Sequence, residues 1–165
     1  MKGLELGLTQ VVESNADLED ILPTYGSDKA AAFDLRADLE GRDIKVMWDG
    51  GSYTVKGSSG KLILEPNARV LIPTGFVFGI PEGYQMNIYS RSGLTWKNGI
   101  IVLNAPALID FDYKDETFVV LYNSSSNPFV IEHGMRVAQA AINPVHRVEL
   151  GSLGERKGGF GSSGK

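Results

Sequence analysis

Four short stretches of this chain set phosphate-gripping or proton-moving side chains beside turns. The first is YSRSGLTWKNG, residues 89–99. A strand-like run ends there in Ser-Arg-Ser-Gly, where a short helix can begin. Arg91 can grip phosphate oxygens through two parallel N–H bonds. Ser92 and the Gly93 amide can donate to the same group, and a helix N-terminus favours an anion. A capped turn with a surface arginine fits the same residues, so this stretch alone is a weak signal. The second is LIDFDYKDE, residues 108–116. Asp110 leaves an apolar run, a position partly withdrawn from water, as a general base wants. Asp112 and Asp115 fit equally well as solvated turn carboxylates, and Tyr113 fits as packing.

The third stretch is AAAFDLRADL, residues 30–39. Asp34 stands between Phe33 and Leu35, with Arg36 two residues on and on the same strand face. A buried carboxylate needs a partner. Asp34 therefore either makes a structural contact, to Arg36 or to backbone, or orients water or a metal's hydration shell. In the fourth stretch, GMRVAQAAI, residues 134–142, Gln139 is a polar side chain between Val137 and Ala141 that could reach a phosphate. The chain has no G-x-x-x-x-G-K-[ST] run, so a P-loop is not available to hold phosphates. It closes on RKGGFGSSGK, residues 156–165. Glycine loses the most backbone entropy on ordering, which leaves two readings of that segment. It is a frayed terminus, or it orders on a ligand, with glycine amides and serine hydroxyls on phosphates and Phe160 over a flat ring.

The elements that must carry these groups read as β almost throughout. ARVLIPTGFVFGIPEGYQMNIYSRSG alternates short apolar runs with Pro-Thr-Gly and Pro-Glu-Gly, a strand–turn–strand–turn–strand pattern. GIIVLNAPALIDFDYKDETFVVLYN gives two β-branched runs joined by a polar connection, a hairpin-like signal. Asp49-Gly50-Gly51 between IKVMW and SYTVK predicts a hairpin that projects from the body. NADLEDILP (15–23) and GLTWKNG (93–99) are the segments capable of a short helix. Many short strands at close spacing with few helices argue for a sandwich or barrel.

Length and composition bound the function. The chain has 165 residues, 42% apolar and 22% charged, which suits one soluble domain with a real core. A net charge of -4 advertises no nucleic-acid surface, though a local cationic pocket stays open. The absence of cysteine excludes disulfides and thiolate-bound zinc and fits a reducing cytoplasm. Two histidines, His133 and His146, are too few for a His-rich metal site. No apolar run approaches the roughly 20 residues of a membrane span, and the opening residues lack a signal-peptide core.

In order along the chain, the stretches resemble the five motifs of the trimeric dUTP diphosphatase (dUTPase) family. AAFDLRA is similar to the first, SRSGLTWKNGI to the second, NAPALIDFDYKDE to the third, GMRVAQ to the fourth and GGFGSSG to the fifth. The likeness runs from about Asp28 to the last residue. It implies an all-β jelly roll of the β-clip type with one short helix and a C-terminal tail that orders on ligand. Residues 1–154 would form that domain, with 41–60 an inserted hairpin, and 155–165 would be a flexible lid.

The resemblance also implies roles. Asp110 would hold and deprotonate the water that attacks the α-phosphorus of dUTP, yielding dUMP and pyrophosphate. This reaction keeps uracil out of DNA and supplies dUMP for thymidylate synthesis. Tyr113 would pack under the deoxyribose and leave no room for a 2′-hydroxyl. A tight hairpin around Asn104 would read the uracil edge. Arg91, Ser92 and Gly93 would hold the phosphates with help from Gln139. Phe160 would stack on uracil, while Gly161, Ser162 and Ser163 would close on the γ-phosphate. Mg²⁺ would ride on the triphosphate and its waters, with Asp34 and Gln139 supporting rather than ligating it. Homotrimers with sites shared among chains, in the cytoplasm of a cell or of a virus's host, complete the expectation.

The chain departs from the family pattern in places. Glu155 stands where an arginine is usual, and the arginine is Arg156, one residue later, which leaves the phosphate contact open between Arg156 and the nearby Lys157 or Lys165. Ala107 and Asp115 replace glycines of the third motif, and Met135 an acidic residue of the fourth. Two other readings compete: a dCTP deaminase of the same superfamily, and a non-catalytic paralogue that senses the nucleotide. Pyrophosphate plus dUMP, ammonia from dCTP, or binding without turnover would tell the three apart.

Overall fold

The structure is a computed structural model, and it describes residues 4–11, 13–57 and 59–151. Alternation of apolar and polar side chains builds most of the molecule. In chain order the first strands are β1 (Gly7–Gln10), β2 (Thr24–Tyr25), β3 (Phe33–Arg36), β4 (Asp43–Trp48), β5 (Gly51–Lys56), β6 (Lys61–Leu64) and β7 (Arg69–Pro73). They are followed by β8 (Phe76–Gly79), β9 (Tyr84–Tyr89), β10 (Ile100–Val102), β11 (Ala107–Ile109), β12 (Phe118–Asn123), β13 (Phe129–Glu132) and β14 (Arg136–Pro144). Among the described residues two helices interrupt them, α1 (Leu18–Ile21) and α2 (Ser92–Asn98), one more than the single short helix of the jelly-roll expectation. Asp17 caps α1 by accepting from the Glu19 amide at 3.2 Å. Gly99 ends α2 in the left-handed region at φ 68°.

Two five-stranded antiparallel sheets, ordered β10-β12-β7-β4-β5 and β11-β9-β14-β3-β2, enclose the core, and two strand pairs, β1-β8 and β13-β6, account for the other strands among the described residues. The inward positions follow a period of two: Ile44 and Val46 on β4, Leu62 and Leu64 on β6, Val119 and Leu121 on β12 are buried. They meet Leu35, Ile72, Phe76, Phe78, Met86 and Ile88 in one cluster. Asn87, buried between Met86 and Ile88, is satisfied there by the side-chain amides of Gln85 and Asn143, each at 3.0 Å.

Two hairpin expectations change in three dimensions. β4 and β5 do form a hairpin about Asp49-Gly50, both at positive φ as such a two-residue turn demands. It does not stand clear of the body, because β4 also pairs with β7 and buries Ile44 and Val46. The runs on either side of DFDYKDE do not pair with one another at all. β11 joins β9 in one sheet, whereas β12 joins β10 and β7 in the other. The polar connection is therefore a crossing between sheets.

Candidate active site

Asp34, Gln139 and Tyr89 lie side by side across β3, β14 and β9. Asp34 is 9% exposed, and its partners are two arginines from distant sequence. Arg91 Nε donates to Oδ1 at 2.9 Å and Arg136 Nη1 to Oδ2 at 3.1 Å. Arg36, the expected local partner, turns elsewhere. At the end of β3 it donates to the Gly134 carbonyl at 2.9 Å and to the Thr24 hydroxyl at 3.4 Å. Arg91 Nη1 also donates to the Arg136 carbonyl at 2.9 Å, so two anchors set its guanidinium plane. Two guanidiniums against one carboxylate leave one net positive charge beside the start of α2.

Ser92 and Gly93 open that helix. Arg91 at the N-cap makes no side-chain cap, and the first amides of any helix lack partners within it. A Cβ built on Gly93 would meet no atom within 4 Å, so nothing in the chain itself requires glycine there. The Gln139 amide donates to the Ser90 carbonyl at 3.0 Å, and the Ser90 hydroxyl accepts from the Val102 amide at 2.8 Å. In the isolated chain Gln139 thus braces the end of β9.

Asp110 follows β11 directly and is exposed, not partly withdrawn from water as expected. β11 is a three-residue strand at the edge of its sheet, so its end opens to solvent. Asp110 lines a cavity of about 510 Å³ with Glu82, Tyr84, Phe111 and Arg147. Its carbonyl accepts from the Tyr113 amide at 3.2 Å, and the Tyr113 hydroxyl donates to the Glu116 carbonyl at 2.9 Å. Burial, then the charges of Asp115 and Glu116, push the phenol above its ordinary value of 10.0. Asn104 is exposed in the link from β10 to β11. Its flanking strands belong to different sheets, so the expected tight hairpin is a crossing held by Leu103 N donating to the Val120 carbonyl at 2.9 Å.

β11 runs antiparallel to β9 with Ile109 opposite Met86. Asp110 therefore sits near the beginning of β9, while Arg91, Ser92 and Gly93 follow its end. Six residues of extended chain separate the two groups by on the order of 20 Å. One chain brings Asp34, Arg91, Ser92, Gly93 and Gln139 together and leaves Asp110 and Tyr113 apart from them. Arg156, Phe160, Gly161, Ser162 and Ser163 lie outside the described residues. Sequence reasoning did not identify Arg136 as Asp34's second partner, nor Glu116 as Tyr113's. Arg136 and Asp34 are 102 positions apart, and only the ladder between β3 and β14 joins them. Among the described residues, no three His, Asp or Glu side chains converge to hold a metal.

Comparison with known proteins bears on the family and the fold. A family model described as dUTPase matches residues 57–164. The deoxyuridine 5′-triphosphate nucleotidohydrolase of Rhizobium rhizogenes is 42% identical over 149 residues, covering 87% of this chain and 85% of that protein. A mutant dUTPase from phage phi11 of S. aureus, described with a structural Mg(II) ion, superposes with a TM-score of 0.68 at 18% identity, covering 93% of this chain and 99% of its own. A mutant dUTPase of Staphylococcus bacteriophage 80alpha with dUpNHpp gives 0.69 at 21% identity, covering 97% and 98%. Such solved structures place the fold among the jelly rolls.

Proposed function

The chain belongs to the dUTPase family, and from that premise we propose that it hydrolyses dUTP to dUMP and pyrophosphate. Water attacks the α-phosphorus in line, the bond to the bridging oxygen breaks, and pyrophosphate leaves with that oxygen. Asp110 takes the proton of the attacking water, a role that suits a carboxylate reachable by solvent at the end of β11. Catalysis otherwise is positioning and charge neutralisation. Arg91, oriented by Asp34, and the amides of Ser92 and Gly93 hold the phosphates. Gln139 supports them through the end of β9. Tyr113 forms the floor under the deoxyribose, and Asn104 with neighbouring backbone meets the uracil edge. The tail residues Arg156, Phe160, Gly161, Ser162 and Ser163 cover the base and the γ-phosphate.

Mg²⁺ fits as cargo of the substrate. Both Asp34 oxygens are engaged by guanidiniums, so the ion would take phosphate oxygens and water as ligands in preference to Asp34. The cation neutralises phosphate charge when bound.

The observation that carries the substrate class is the Asp34-oriented Arg91 at the start of α2, beside Gly93, where no atom of the chain lies within 4 Å of a Cβ position. The separation of Asp110 from that grip supports sites assembled from several copies, as in a homotrimer. No helix among the described residues is long and apolar enough to cross a membrane, which is compatible with a cytoplasmic enzyme that limits dUTP and furnishes dUMP. The test is hydrolysis of each deoxynucleoside triphosphate with Mg²⁺, product analysis and solution mass. Release of dUMP and pyrophosphate from dUTP is expected. Ammonia from dCTP, or binding of dUpNHpp with no turnover of dUTP, refutes the proposal.

A further inference from the structure

Arg42 is 7% exposed, and its guanidinium is shared by the carboxylates of Asp38 and Glu116. Burial lowers its pKa, but the hydrogen bond and charge of Glu116, then those of Asp38, outweigh that and hold it above its ordinary value. Glu116 reaches further. Its Oε1 accepts from the Gly75 amide at 2.8 Å, and its carbonyl accepts the Tyr113 hydroxyl at 2.9 Å. The turn carrying Arg42 is itself fixed. Asp38 N donates to the Pro73 carbonyl at 2.9 Å, and Gly57 N to the Arg42 carbonyl at 2.8 Å. Gly57 can approach only because it lacks a side chain, since a Cβ there would fall 1.8 Å from the Leu39 carbonyl oxygen. A continuous path therefore runs from Arg42 through Glu116 to Tyr113 and, through the Tyr113 amide, to the Asp110 carbonyl.

We infer that Arg42 is a positioning residue for sugar recognition, holding Glu116 so that Tyr113 stays where it excludes a 2′-hydroxyl. This rests on the reading of Tyr113 as the floor of the deoxyribose site. Without the guanidinium, Asp38 and Glu116 lose their shared arginine partner. The nearest remaining basic side chain is His133, whose Nδ1 lies 4.0 Å from Asp38 Oδ1 and accepts from the Leu39 amide. Carboxylates so deprived are relieved by protonation or movement. The Asp38 side chain is fully enclosed, whereas that of Glu116 is 10% exposed beside the loop, with Gly75 as its remaining anchor, and has the more room to move. A displacement of about 1 Å at its carbonyl carries Tyr113 with it, and shifts of that size alter rates measurably.

The experiment compares kcat/KM for dUTP with that for UTP in the full chain and in Arg42→Met, Arg42→Lys, Glu116→Gln and Tyr113→Phe. Arg42→Met and Tyr113→Phe should each lower the preference for dUTP by about tenfold, and their combination by less than the product of the two. Arg42→Lys should recover part of the loss. Ile131→Val, in the core on β13, should lower Tm and leave the preference unchanged. If Arg42→Met does not fold, Glu116→Gln and Tyr113→Phe carry the test, because Glu116→Gln keeps an acceptor for Gly75 and Tyr113 lies at the surface. An unchanged preference in the folded variants overturns the inference while leaving the hydrolase reading intact. A wild-type chain inert toward dUTP removes the hydrolase reading first.

Discussion

Replacing Gly93 by alanine should make the protein more stable and less active, two effects with different physical origins. Gly93 is the second residue of α2, has no left-handed φ, and offers open space in the direction of a Cβ. Alanine therefore fits the folded chain and restricts the unfolded one. Glycine in a helix costs roughly 0.5–1 kcal/mol relative to alanine. At this position in the first turn the gain should be near the lower end, about 0.5 kcal/mol, or roughly 1–2 °C in Tm for a chain of this size. The same methyl would stand where the phosphate is proposed to meet the Gly93 amide. Loss of that contact should lower kcat/KM at least about tenfold, equivalent to ~1.4 kcal/mol. Thermal melts with and without dUpNHpp, alongside dUTP hydrolysis, read both signs. A variant that hydrolyses dUTP as fast as the wild type would show that the open space is not the phosphate's approach. A variant with lower Tm would show that the chain itself needs the glycine.

Asp110→Asn should retain dUpNHpp binding within a few-fold while turnover falls by at least about two orders of magnitude, the scale of a lost general base; full turnover would remove Asp110 from the mechanism. Asp110→Asn and Arg91→Ala chains, each nearly inactive, should regain part of the activity when unfolded together and refolded as a mixture, because shared sites can then draw both intact residues from different copies; no recovery would place the whole site in one chain. Tyr113 should ionise above its ordinary value of 10.0 in the native protein and return to that value in urea, followed by phenolate absorbance. Because the folded value is raised, its contribution to stability is complete below pH 10 and is lost as pH rises through the native value; Tyr113→Phe should lack that alkaline loss.

Much of the architecture was legible because it is local. Strand content follows from alternation such as that of Phe118–Asn123, and the hairpin at Asp49-Gly50 from residues that tolerate positive φ. The two helices sit where NADLEDILP and GLTWKNG allow them. The grouping of Arg91, Ser92 and Gly93 at a strand-to-helix turn was legible too, since the turn and the short helix are local. Partner choice was not. DFDYKDE reads as a hairpin loop from its flanks, yet each flank pairs with a strand nearer in space than in sequence.

The chain by itself determined which residues face inward, where it turns, and which chemical groups are on offer. Tertiary structure alone decided that Asp34 orients Arg91 and Arg136 instead of Arg36, that Asp110 ends an open edge strand, and that Arg42 meets Glu116. The reason lies in the sheet. A period of two marks the face of each strand, but hydrogen bonds between strands use the backbone, which every residue shares. Which strands lie together is settled only when all faces are buried at once.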